Sequence, residues 1–182
     1  NVEHVSYVDA DMQLVDTLRK GKTNCVVELM HAIDRLKDYR NMSDSLVRLN
    51  LMYVIHIVGD MHCPSHVKYP GCKSGRADLN GKKMSYHAMW DWGVLDGAHG
   101  WSYSEYRLLL DTFSKREKAG MAKGTPREWL YETAVACRVI YDWQRADGTY
   151  GKQFVTDTYL LPERQLILVS YRLAAVLNDL FG

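Results

Sequence analysis

The chain has 182 residues, 47% of them hydrophobic, and a formal net charge of +1. This supports one domain with a real core and excludes a global basic field for attracting nucleic acid. No stretch of about twenty apolar residues occurs, so no membrane-spanning helix is expected.

In chain order, residues 1–24 read as an irregular entry segment with a short helical piece around Asp11 to Leu18. Residues 26–40 carry Val27, Met30, Ile33 and Leu36 at helical spacing. Ser43 is a good N-cap, with Asp44 in the first turn of a helix running to about Asp60. That helix is apolar on more than one side, which predicts a central, buried position, and Pro64 stops it. Residues 67–86, rich in glycine and polar side chains, read as a loop. Further helices are expected over 87–95, over 103–116, from Thr125-Pro126 to about Trp143, and from Pro162 to Leu180. No segment alternates long enough to predict a sheet. The fold class is all-α: a single multi-helix domain over residues 1–182.

Two His-x-x-x-Asp pairs stand out, His56/Asp60 and His87/Asp91, with His66 closing the run His62-Cys63-Pro64-Ser65-His66. Four residues on a helix rotate by about 40°, so each pair shares a face. Imidazole beside carboxylate is a donor set that zinc prefers. A lone His on a helix is ordinarily a hydrogen-bonded core residue, and His31 and His99 read that way. His56 differs, because Asp60 on so apolar a helix needs a cation or several donors. A His–Asp hydrogen bond would satisfy it in part, and a metal more fully. His62 lies about 200° around from Asp60 and faces away, which leaves it a supporting role.

The four cysteines, Cys25, Cys63, Cys72 and Cys137, form no CxxC doublet. An even count is compatible with two disulfides in an oxidising compartment and equally with four thiols.

The run from Leu51 through His56, Gly59-Asp60, His62, Pro64 and His66, followed by His87-Ala-Met-Trp90-Asp91, resembles the zinc-dependent single-strand-specific nuclease family. Its members include the secreted fungal nucleases of the S-one and P-one type and the plant bifunctional nucleases. Bacterial zinc phospholipase C shares their fold. Tyr171-Arg172-Leu173-Ala174 and the closing Phe181-Gly182 resemble the family's last helix. The resemblance implies an all-α domain with up to three zinc ions in a cleft. It implies that His56 and Asp60 bind one zinc of a close pair, with Asp60 reaching its neighbour, and that His66, His87 and Asp91 hold the remaining ion. The stretch His4-Val5-Ser6-Tyr7-Val8-Asp9 matches a further family motif with one extra residue, which implies His4 as a metal ligand and Asp9 as a base contact. Cys25 and Cys137 fall where the family places a disulfide, and Cys63 and Cys72 could form a second, local bridge. A secreted or periplasmic location follows from the same resemblance.

The family's leading tryptophan, its first His ligand and the Asp expected as general base have no counterpart before His4. By resemblance, the chain lacks the family's N-terminal segment, which could accompany it as a separate peptide. One zinc site is then complete, a second lacks a ligand and the third keeps only Asp60. Ser85-Tyr86 stands where Asn-Leu is usual, and the family's Gly-Gly-Asn is absent, which bears on substrate preference. The implied activity is hydrolysis of single-stranded DNA or RNA to 5'-nucleotides and removal of phosphate from 3'-nucleotides. Tyr7, Tyr69 and Trp101 are candidates for a base pocket, with core packing the commoner role for each. The rival readings are a zinc phospholipase C-like lipid hydrolase and a non-catalytic zinc-binding domain.

Overall fold

The computed structural model describes residues 5–18 and 21–182. Helix α1 spans Cys25–Leu36 and begins where Asn24 caps it. Asn24 is fully buried; its Oδ1 accepts from the Val26 amide, and its Nδ2 donates to the carbonyls of Tyr7 and Val15. One side chain thus starts the helix and ties down the entry segment. The buried face of α1 is Val26, Leu29, Ala32 and Leu36. It is offset from the expected Val27–Met30–Ile33 row because both rows have helical spacing and only packing chooses between them.

Helix α2 spans Asp44–His62. It buries Val54, Ile57, Val58 and Met61 but exposes Leu46, Leu49, Met52 and Ile55. The expectation of a wholly buried helix is therefore corrected: one stripe packs on α1, and the other faces outward among the described residues. The helix ends as Pro64 opens a 3-10 turn over Pro64–His66. Helix α7 (Pro126–Cys137) starts at a capping box between Thr125 and Glu128. It and α9 (Leu160–Phe181) complete the first core with α1 and α2. Each fully buried side chain such as Leu29, Leu36 or Met61 contributes roughly 1.5–3 kcal/mol.

A second core lies around Tyr86, Met89, Trp90, Ile140 and Tyr150. Here the structure corrects the loop expected over 67–86. Strands β1 (Ser6–Tyr7) and β2 (Val67–Lys68) pair in parallel. Strands β3 (Arg76–Leu79) and β4 (Lys82–Ser85) form an antiparallel hairpin with Leu79 opposite Lys82, and β5 (Thr149–Tyr150) adds in parallel to β3. The hairpin turn is Asn80-Gly81, with φ of 53° and 86°, the positive pair that a type I′ turn requires. These strands are short, and the fold remains all-α.

The helical piece expected at Asp11–Leu18 is absent among the described residues. Asp9 Oδ1 captures the amides of Asp11 and Gln13, Met12 takes a φ of 62°, and Leu14 bridges back to Val8. A side chain that offers the backbone a turn outcompetes the helix. The helix expected over 87–95 runs instead as α3 (Tyr86–Ala88), a π-helical turn (Met89–Gly93) and α4 (Val94–Ala98). The one expected over 103–116 divides into α5 (Tyr103–Leu110) and α6 (Lys115–Ala122), because Ser114 and Glu117 form a fresh capping box. Helix α8 (Lys152–Thr158) precedes α9. Among the described residues, no helix is long and apolar enough to cross a membrane.

Candidate metal centre

The 3-10 turn Pro64–His66 lies where the two cores meet, touching α2, α3, the π turn, α7 and α9. It carries His66, whose side chain is almost wholly enclosed. The two nitrogens of this ring face carboxylates from two different helical segments. Nδ1 lies 3.5 Å from Asp60 Oδ2 on α2, and Nε2 lies 3.4 Å from Asp91 Oδ1 in the π turn. Asp60 Oδ2 is also 3.1 Å from His56 Nε2, the one-turn pairing expected on a helix. The His87 ring sits 4.6 Å from that of His66, centroid to centroid. Five side chains from two sequence motifs thus form one contiguous group: His56, Asp60, His66, His87 and Asp91.

The local backbone explains the convergence. Pro64 breaks α2 one turn after Asp60, so the chain folds back instead of carrying His66 away. Trp90, buried against Tyr86, Phe154 and Trp143, anchors the π turn, which places Asp91 outward toward His66. Such π turns recur at functional sites. Gly93 keeps the turn close to the hairpin: a Cβ there would lie 3.0 Å from Met84 Sδ.

Burial, and next the neighbouring His66, hold the His87 imidazole below its ordinary pKa, with Asp91 pulling the other way. A neutral ring is the form that ligates a metal. Cys63 enters the same group. Its Sγ is 3.5 Å from Asp91 Oδ1, and ligand atoms of Cys63, His66 and Asp91 all lie within 4.8 Å of one another. Burial pushes the Cys63 thiol up to about 12. A set of thiol, imidazole and carboxylate donors is chemically suited to zinc.

A family model for S1/P1 nucleases matches residues 1–182. This chain belongs to the S1/P1 nuclease family. Endonuclease 2 of Arabidopsis thaliana is 27% identical to it over 184 residues, covering 88% of this chain and 63% of the relative. Endonuclease 4 of the same plant is 25% identical over 187 residues, covering 90% and 62%. The chain therefore spans less than two thirds of the length of these relatives.

In this S1/P1 chain the remaining expected residues fall as follows. His4 lies outside the described residues. Asp9 is exposed, and one of its oxygens serves its own turn. Tyr69 is a core residue whose hydroxyl donates to the Ala134 carbonyl, and Trp101 stacks on His99. His99 in turn meets Glu163 at 2.8 Å, and His31 is exposed near Glu28. His62 does face away from the group, toward α9. Its Nδ1 lies 2.8 Å from the Val58 carbonyl and its Nε2 2.9 Å from Arg172 Nη1.

The expected disulfide between Cys25 and Cys137 is corrected: all four cysteines are free thiols. Cys25 begins α1 and turns its sulfur to Ser6 Oγ at 3.4 Å, whereas Cys137 is buried at the far end of α7. The local Cys63–Cys72 bridge is not formed either. Sequence reasoning missed Cys63 as a member of the group. Its signal was the Cys-x-x-His spacing of Cys63 to His66, whereas the sequence reading places Cys63 in a local bridge with Cys72.

Proposed function

We propose that this S1/P1 chain belongs to a zinc-dependent phosphodiesterase that cuts single-stranded DNA or RNA to 5'-nucleotides and removes phosphate from 3'-nucleotides. The observation that carries this reading is the double engagement of His66, between Asp60 and Asp91, with His56 and His87 alongside. In tetrahedral zinc, nitrogen and oxygen ligands at their usual bond lengths are about 3.3 Å apart. The 3.4 Å between His66 Nε2 and Asp91 Oδ1 fits that value. His66, His87 and Asp91 would hold one ion, and His56 with Asp60 would contribute to another. Zinc bound there would supply Lewis acidity toward a phosphodiester and toward water.

The chain's own residues fix the donors. Asp60 faces His66 Nδ1 and favours the tautomer that leaves Nε2 with its lone pair toward Asp91. The depressed His87 ring stays neutral at physiological pH. Beside Asp91 stands Trp92, partly exposed, with Lys82 Nζ 4.4 Å from its ring centre. An exposed aromatic face with a cation over it, one residue along the π turn from Asp91, suits an unstacked base and its backbone, which supports the single-strand preference.

The test is hydrolysis by the zinc-loaded protein of single-stranded DNA, duplex DNA, a 3'-mononucleotide and phosphatidylcholine vesicles. Chelator-sensitive cleavage of the single strand and the 3'-mononucleotide is expected. Cleavage of lipid alone would replace this reading with a phospholipase. Zinc binding without any hydrolysis would leave a non-catalytic zinc domain.

A further inference from the structure

We infer that Cys63 is itself a metal ligand, joining His66, His87 and Asp91, so that this member of the family binds one ion through a thiolate. The inference rests on the metal reading above and goes beyond it, since every ligand that the family resemblance implies within this chain is a histidine or an aspartate.

The geometry comes first. Asp91 Oδ1 lies 3.4 Å from His66 Nε2 and 3.5 Å from Cys63 Sγ. In a tetrahedral zinc site with a Zn–S bond of about 2.3 Å and a Zn–O bond of about 2.0 Å, sulfur and oxygen are separated by about 3.5 Å. The observed sulfur–oxygen distance has that value with no rearrangement. One oxygen atom therefore stands at ligand-to-ligand distance from both a nitrogen and a sulfur.

The backbone holds the sulfur in place. Cys63 is at once the last cap of α2 and the residue that opens the 3-10 turn. Its amide donates to the Asp60 carbonyl, and its own carbonyl accepts from His66. The thiol has three neighbours: Ser65 Oγ at 3.3 Å, Asp91 Oδ1 at 3.5 Å and the Trp90 carbonyl at 3.9 Å. It therefore points to the π turn that bears Asp91. Asp91 Oδ1 is within reach of the S–H group as an acceptor. A metal held there would take the sulfur as thiolate, the S–H proton passing to solvent with no change in oxidation state.

Cobalt(II) titration of the metal-free protein under anaerobic conditions tests the assignment. The wild type is expected to show a near-ultraviolet thiolate-to-cobalt charge-transfer band. Cys63→Ser should lose that band while keeping visible cobalt transitions, whereas Cys72→Ser should keep both. Loss of an outer partner of a ligand costs about 10- to 100-fold in metal affinity. Cys63→Ser should weaken one zinc equivalent by at least about tenfold, and near-ultraviolet circular dichroism checks that the variant is folded. If Cys63→Ser fails to fold, the test passes to alkylation of wild-type thiols: zinc should protect Cys63, and equal labelling with and without zinc overturns the inference. Cobalt bound with no thiolate band, or a band that survives in Cys63→Ser, overturns the role of Cys63 and leaves the metal reading standing. Elemental analysis showing no metal retained by the wild type overturns both.

Discussion

Arg172, in the middle of α9, donates from Nη1 to Nε2 of His62 at 2.9 Å. The arginine is 2% exposed, pairs with Glu132, and donates from Nε to the Met121 carbonyl. It therefore pins the last turn of α2, from which Asp60 and Cys63 project, to the C-terminal helix. Arg172→Met should destabilise the fold by about 2 kcal/mol, since it strands a buried acceptor on His62. Chemical denaturation measures this, and an unchanged midpoint would refute the pinning role.

The same contact sets a pH dependence. Burial lowers the His62 pKa to about 4, and the nearby Arg172 charge adds to this, while the Val58 carbonyl opposes it. An unfolded His binds its proton near pH 6.5. Between pH 6.5 and about 4 the unfolded chain takes up a proton that the native ring refuses, so stability falls as pH falls through that window. The loss is on the order of 3 kcal/mol. His62→Gln can keep both hydrogen bonds without titrating. Its unfolding free energy should fall less steeply than that of the wild type across this range.

His87→Ala should lower bound zinc by one equivalent. The ring borders His66, 4.6 Å from it centroid to centroid. Unchanged stoichiometry by elemental analysis would count against His87 as a ligand.

Trp92→Ala should weaken binding of a short single strand by about 1–3 kcal/mol, the usual contribution of one base–aromatic stack. Zinc content should not move, because Trp92 supplies no ligand atom. Fluorescence anisotropy on a labelled oligonucleotide would show the effect, and equal affinities would remove Trp92 from the substrate path.

Gly81→Ala tests the hairpin. Gly81 has a φ of +86°, and no atom lies within 4 Å of a Cβ built there. The cost is therefore backbone strain alone, about 1 kcal/mol. It should appear as faster amide exchange in Lys82–Ser85 than in α1.

The long helices were legible because their apolar residues repeat with helical period and carry caps such as Ser43 and Thr125. The face that each helix buries was less so. In α1 the choice between the Val27 and Val26 rows depends on α2 and α7, which no local pattern contains. The hairpin carried a readable signal in Asn80-Gly81, hidden by surrounding polar residues with only Ala77 and Leu79 to mark an inner face. For the metal-type group, the two His-x-x-x-Asp spacings nominated four side chains, and the run closing at His66 added a fifth. Cys63 was not nominated, because its proximity to Asp91 depends on a proline-broken helix meeting a π turn. Neither bend can be measured from residue spacing.

His66 is one small aromatic ring with a carboxylate at each edge. A cation settling at either edge draws electron density out of the whole ring and changes how tightly the opposite nitrogen holds its proton. The two ends therefore cannot fill as strangers to each other. Divalent-ion titrations of this chain should depart from two independent hyperbolas, and the order of filling should change with acidity.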